Sequence, residues 1–380
     1  MAGNRQNYPV TTRLRLILPA PFLLVAVAAV AVHAVPARPQ SAADPIAVAI
    51  EDLGARVTAE ASPDQLWTDN KVGVEAALRD ARAAMAAGRR WFALERLGAA
   101  RQSYLATKFA IDHPAERKDL ATFERTWTQL GPTLGAAAPK PAPLSPAMPS
   151  AVRALAEVAL TQVRINYDAG LEYGRNTQPE FGLFYVGVGD AQRQFVTLAR
   201  GLVPATTPAR TAPPLRSLAS EIAAVQSDLL ALYRPPAAID RHSEFIAASS
   251  ALKEARQYDA EGLRYGAMLK FLQGAMRTAI LRNADAPPDP ATLATQLTEF
   301  RARLTGGRID HSIGTFFVER AEAALESTAL GGRPVAAAVT LDVLPRYFAA
   351  LEPLRPSTTS ARAVAATPPV TVTLVRWPFT

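Results

Sequence analysis

A chain of 380 residues with 49% hydrophobic and 20% charged residues is long enough to bury a substantial core, and its composition excludes a disordered protein. The net charge of +7 is not a nucleic-acid signature: Arg5, Arg13 and Arg15 sit in an N-terminal segment without acids, and the other arginines are scattered among carboxylates rather than gathered in a stripe. The chain holds no cysteine, which excludes a disulfide framework, a lipoprotein anchor and thiol catalysis.

The N-terminus has the order of a secretory signal peptide over residues 1–37. Arg13 and Arg15 form a basic region and Leu16 to Val32 an apolar run. Val32-His33-Ala34 and Val35-Pro36-Ala37 each place a small residue before a possible cut. Cleavage would place the mature chain in the periplasm or outside the cell. The alternative is an uncleaved anchor, against which Pro19 and Pro21 interrupt the apolar run, and membrane contact is expected only through such a retained N-terminus. No later segment is expected to span a bilayer.

Residues 38–130 are predicted to form an N-terminal helical subdomain. A first helix runs from Asp44-Pro45 to about Glu60. Ser62-Pro63-Asp64-Gln65 carries N-cap chemistry with Pro at the first helical position, and a short turn then leads to a helix over Lys71 to Ala87. Val74, Leu78, Ala81 and Met85 make one stripe of that helix, and Gly88 ends it. The next helix, Arg90 to Ile111, carries Trp91, Leu94, Leu97, Tyr104 and Phe109. Asp112-His113-Pro114 breaks it before a further helix to about Leu130. Residues 131–149 hold six prolines and cannot continue a helix, so they read as a linker at a domain or subdomain boundary.

Residues 150–352 are predicted to form a C-terminal helical domain. Ala156, Leu160, Val163, Tyr167, Gly170 and Gly174 make a seam in which Tyr167 faces a neighbouring helix, and a second helix follows from about Leu183 to Gly201. Leu215, Leu218, Ile222, Val225, Leu229 and Leu232 alternate three and four apart, a stripe that demands a partner helix. Leu293, Leu297, Phe300 and Leu304 repeat the pattern, as do Leu341, Leu344, Phe348 and Leu351 with Pro345 in a first turn. The fold class is therefore all-α, a multi-helix bundle or stacked helical hairpins. Residues 353–380 depart from it: Val370 to Trp377 alternates like a strand, which would lie on the chain's own body or pair with a partner's sheet edge.

Tyr167-Asp168-Ala169-Gly170-Leu171-Glu172-Tyr173-Gly174 returns as Tyr258-Asp259-Ala260-Glu261-Gly262-Leu263-Arg264-Tyr265-Gly266, with Glu261 inserted, which suggests a reused helical unit. Around Pro179 the chain resembles the tetratricopeptide repeat family. Pro179 sits where that family closes its second helix, and Tyr185, Val188 and Gly189 fall at the large, apolar and small positions of the next first helix. Gln192 departs from the pattern, since an aromatic is expected there, and no second unit follows at a period of about 34 residues. The resemblance implies a stacked-helix scaffold that binds peptides or proteins in a concave groove.

Catalytic chemistry is poorly represented. After the leader only His113, His242 and His311 remain, none in a helix-borne metal spacing, and Asp240-x-His242-x-Glu244 reads as a polar helix start. Nothing resembles a Gly-x-Ser-x-Gly elbow, and the glycine-rich stretch from Gly182 to Gly189 lacks the lysine and preceding strand of a phosphate loop. No catalytic residue, metal or cofactor is expected. Tyr173, Tyr185, Tyr258 and Tyr265 with Arg175 and Arg264 are the candidate ligand-binding residues, lining a pocket between the two related blocks. Two functions follow: an exported helical scaffold binding a protein partner in the cell envelope, or a helical binder of a small ligand through that Tyr/Arg pocket. Neither involves nucleic acid.

Overall fold

The computed structural model describes residues 44–135, 142–203, 210–233, 239–282, 289–326 and 334–351. The leader and the strand-like Val370 to Trp377 lie outside the described residues. Among those described the fold is all-α, thirteen α-helices and one 3-10 turn, with a lone bridge between Thr211 and Ile309 as its only extended pairing.

Helix α1, Pro45–Ala59, starts at Asp44, whose carboxylate accepts from the Ile46 amide at 2.9 Å. Helix α2 is one continuous rod, Gln65–Ala86, and not a turn followed by a helix from Lys71. Its N-cap is Asp64 rather than Ser62, so Pro63 precedes the helix, and buried Trp67 anchors the first turn edge-on to Tyr104 at 5.8 Å. Gly88 adopts φ +72° and turns the chain into α3, Arg90–Asp112.

Helix α4, Leu120–Leu134, overruns its expected end and takes Pro132 into its last turn, so the proline-rich segment begins as helix. A proline there removes one amide near the helix end, where the ladder is closing. The Tyr167 hydroxyl donates to the Trp127 carbonyl at 2.9 Å, and the two rings stack at 5.2 Å. Tyr167 belongs to α5, Ser150–Asn176. Helix α6, Pro179–Gly201, starts at Pro179 itself rather than near Leu183, because proline's fixed φ suits the first helical position. Pro179 thus opens a helix where the tetratricopeptide pattern would close one.

Helix α7, Ala219–Leu232, begins later than the leucine stripe implied, and Leu215 packs from outside it. Leu218, Ile222, Val225 and Leu229 are buried as the stripe requires, against α8, His242–Ala260, and α9, Arg264–Arg282. His242 opens α8 bonded to the Tyr233 hydroxyl at 2.7 Å, while Glu244 pairs with Arg277 at 2.8 Å. Helices α10, Pro290–Thr305, and α11, Ser312–Glu326, precede two short helices, α12, Pro334–Leu341, and α13, Leu344–Leu351. The stretch 334–351 is apolar and long enough to cross a membrane by composition, contrary to the sequence expectation, yet it breaks at Asp342-Val343 and buries Leu341, Val343, Leu344 and Tyr347 in the core.

The hairpins α2–α3, α5–α6 and α8–α9 share the most extensive interfaces, and they are joined where α3 lies on α6, α5 on α9, and α11 on α3. One hydrophobic cluster takes Leu94 and Leu97 from before the proline-rich segment and Val152, Ala156 and Phe195 from after it. Trp91, Phe92 and Leu155 pack against both this cluster and the larger one around α9 and α11.

Several helices have no cap of their own and receive one from elsewhere. Glu319 of α11 accepts from the Trp91 and Phe92 amides of α3, both at 2.8 Å. Glu157 of α5 accepts from Gly266 of α9 at 2.8 Å. Asp259 takes the Ser217 hydroxyl at 2.5 Å and the Leu218 amide at 3.2 Å before α7, and Asp310 takes the Ser150 amide at 2.5 Å and the Ser312 amide at 2.9 Å. These bonds fix each helix start to a second element.

The repeated block does not repeat in the backbone. Its first copy is helical throughout α5, whereas the second crosses the end of α8 and the turn at Gly262, φ +77°. Asp168 is exposed and Asp259 is buried, so equivalent letters do different work.

Candidate functional site

The six candidate residues divide between two places. Tyr173 of α5 and Tyr185 of α6 stack at 5.1 Å, with Tyr173 half exposed and Tyr185 set deeper. Burial raises the Tyr185 phenol above its ordinary range, and the neighbouring Tyr173 adds to the effect. Arg175 is turned away to Glu124 at 2.5 Å.

The other three gather at the α8–α9 turn, where they hold the fold together. Tyr258 is fully buried and its hydroxyl accepts from the Gln162 amide at 3.2 Å. Tyr265 donates to the Pro213 carbonyl at 2.8 Å, under the Arg153 guanidinium, which lies 4.4 Å from its ring centre. Arg264 pairs with Asp259. The structure therefore does not bring the six to one pocket, because the two copies of the block sit in different backbone contexts.

Tyr185 does line an open cavity, about 360 Å³, between α2, α3, α5 and α6. Its wall is built where the antiparallel α3 and α6 meet closely: a Cβ on Gly187 would lie 2.3 Å from the Leu105 carbonyl oxygen and 2.5 Å from Ala106 Cα. Only glycine lets the two backbones touch there. One turn along, Tyr185, Phe184 and Val188 face Gln102, Ser103, Ala106 and Thr107 across the space, with Asn70 and Asn166 completing the lining.

One polar group of this wall is buried and unpaired. The Thr107 hydroxyl is fully buried and makes no hydrogen bond, although a helical threonine commonly bonds the carbonyl four residues back. Asn166 is 8% exposed, and its side chain, like those of Gln102 and Ser103, makes no hydrogen bond with another described residue. Asn70 is engaged, donating to the Leu66 carbonyl at 2.8 Å. A buried hydroxyl left without a partner costs roughly 1–3 kcal/mol. The lining carries amides, hydroxyls and two aromatic rings but no ionised side chain, so it can offer donors, acceptors and a ring surface to a neutral polar molecule and has no means to neutralise a charge.

Sequence reasoning reached Tyr185 but passed over Thr107 and Asn166. Their signal was positional. Thr107 continues the buried stripe of Leu97, Ala100 and Tyr104, and Asn166 sits seven residues after Ala159 and four before Gly170 on the buried stripe of α5. A polar residue at a core position of an otherwise apolar stripe marks either a buried network or a cavity.

No protein-family model, curated protein or solved structure matches this chain.

Proposed function

We propose that this protein is an exported, helical binding protein whose ligand is a small neutral polar molecule held between α3, α5 and α6. The observation that carries this reading is the Thr107 hydroxyl, buried and unpaired on the wall of a 360 Å³ cavity beside the unengaged Asn166. A volume of that size is within the range of small-molecule sites. Export rests on the basic, apolar and small-residue order of residues 1–37.

The chemistry complementary to amides, hydroxyls and ring faces is a hydroxyl- and amide-bearing compound such as a sugar or a nucleoside. The experiment is calorimetric titration of the full mature chain with a panel of monosaccharides and nucleosides, repeated on Thr107→Val and Asn166→Leu. Binding by the wild type that falls roughly tenfold in Thr107→Val supports the site. Because valine is nearly the shape of threonine and removes an unpaired hydroxyl, Thr107→Val should be as stable as the wild type or more so. Absence of binding across the panel, or binding unchanged in both variants, sinks the reading.

The scaffold reading has one observation in its favour, a broad groove of about 770 Å³ between α2, α3, α9, α11 and α12. Its charges are already spent inside the fold: Arg96 pairs with Asp80, Arg277 with Glu244 and Arg320 with Glu95, each at 2.8 Å. A partner would meet little surplus charge there, which is why the cavity carries the proposal. Pull-down from envelope extracts with an Arg320→Glu variant as control tests it, and loss of a wild-type partner in that variant would favour the scaffold over the ligand binder.

A further inference from the structure

On another side of the α3–α6 pair lies a second cavity, about 290 Å³, open to solvent and lined also by α1. It differs from the first in chemistry. Arg101 of α3 is partly buried in its wall and makes no ion pair or hydrogen bond with any described residue. The other partly buried arginines of this part of the fold are paired: Arg90 with Asp44 at 2.8 Å, Arg96 with Asp80 at 2.8 Å and Arg117 with Asp64 at 2.6 Å. What Arg101 has instead is a like charge, Arg56 of α1, on the same wall. Burial first and Arg56 second draw the Arg101 guanidinium below the ordinary arginine range.

A partly buried guanidinium that faces a like charge and has no counterion is costly, and proteins ordinarily pair or neutralise such a group. The acid on the wall, Asp52, is exposed and pairs with neither. Tyr104 adds a third donor: it is 8% exposed, its hydroxyl bonds to no described residue, and burial holds the phenol protonated. Thr197 and Gln194 are already engaged, Thr197 with the Arg193 carbonyl at 3.2 Å and Gln194 with Asp190 at 2.9 Å. Leu53, Leu105 and Leu198 supply an apolar floor.

We infer that this cavity is a binding site for a small organic anion, whose oxyanion group lies between Arg56 and Arg101 with Tyr104 donating to it, and whose apolar part rests on Leu53, Leu105 and Leu198. Guanidinium forks suit carboxylate and phosphate equally, so the recognised chemistry is an oxyanion on a single-ring or short-chain body. The site does not depend on the neutral cavity: it uses Arg101, Tyr104 and Leu105 where that one uses Gln102, Ser103 and Ala106, alternate faces of one helix.

The test is calorimetric titration of the full mature chain with benzoate, phenyl phosphate, inorganic phosphate and uncharged benzamide at fixed ionic strength. Benzoate or phenyl phosphate should bind, benzamide should not, and Arg101→Gln should weaken binding roughly tenfold or more. Arg56→Gln, at an exposed position, should weaken it less and serves if Arg101→Gln fails to fold. Arg101→Met should raise the melting temperature of the unliganded protein, since it removes an uncompensated charge, and should abolish the stabilisation that the anions confer. Benzamide binding as tightly as benzoate, inorganic phosphate binding as tightly as phenyl phosphate, or none of the probes binding would overturn the inference. So would a loss of anion binding in Thr107→Val with none in Arg101→Gln and Arg56→Gln, which would place the anion in the neutral cavity. Failure of sugars and nucleosides to bind leaves these outcomes unaffected.

Discussion

Helices α3 and α9 begin in the same way and are secured differently. Each follows a glycine with positive φ, Gly88 at +72° and Gly262 at +77°, and each has its first amides bound by a glutamate from another helix. At α9, Glu157 has its own cation, Arg153 at 3.0 Å, which in turn lies over the Tyr265 ring. At α3, Glu319 accepts two amides but has no cation of its own. Its neighbour Arg89 is committed to Glu322 at 3.2 Å and to Glu326, and Glu322 is a like charge. Burial pushes the carboxyl of Glu157 up, against the pull of Gly266 and Arg153, while Glu319, with burial dominant and Glu322 adding to it, is pushed up to about 7. One joint therefore carries a compensated charge and the other a carboxyl poised to hold a proton near neutrality.

Removing the carboxyls is the largest break in this comparison. Glu319→Ala leaves two amides of α3 without partners in the interior, and should cost about 2–6 kcal/mol at pH 5, from roughly 1–3 kcal/mol for each stranded group. Glu157→Ala strands one amide and leaves Arg153 unpaired, an expected loss of about 1–3 kcal/mol. Urea unfolding of both variants at pH 5 ranks them. Equal losses would mean that the second amide at α3 adds nothing.

The charge difference is separable from the cap by Glu319→Gln, which keeps an oxygen for the amides and removes the ionisation. Because the folded-state value for Glu319 lies above the ordinary 4.5, the folded protein holds this proton more tightly than the unfolded chain does. That contribution is complete below about pH 4.5 and disappears as pH rises through about 7, and its full size is roughly 3 kcal/mol. Subtracting the stability profile of Glu319→Gln from that of the wild type should give a curve falling across this window. The corresponding subtraction for Glu157→Gln should fall in the same direction by less, because Arg153 stabilises the ionised form. A flat difference for Glu319 would show that another group titrates there.

These joints also mark how far the sequence could be read. Helical period was legible wherever a stripe was apolar, as in Leu218, Ile222, Val225 and Leu229, all buried as expected. Local capping was legible in part: Asp44 lay at the expected start, but Asp64 rather than Ser62 caps α2, since Pro63 then falls outside the helix. Glu157 and Glu319 gave no comparable signal, because a glutamate inside an amphipathic helix ordinarily faces water, and only the placement of a second helix start against it turns it into a cap. The candidate site shows the same limit. Tyr185 stood out by residue type, whereas Thr107, Asn166 and Arg101 acquire meaning from what they lack, a partner, which no single stretch of sequence records.

The smallest effect comes from the feature the two joints share, and it serves as the control. Gly88 and Gly262 have open space where a Cβ would stand, so alanine there meets no neighbour and its cost is the backbone strain of a positive φ alone. Gly88→Ala and Gly262→Ala should each lose roughly 1 kcal/mol, matched to within about 0.5 kcal/mol, and the loss should not vary with pH, since neither substitution touches a titrating group. Thermal unfolding at pH 5 and pH 8 measures both. If Gly88→Ala lost far more at pH 8 than at pH 5 while Gly262→Ala did not, the turn into α3 would be coupled to the ionisation of Glu319, and the two joints would differ in their backbone as well as in their charge.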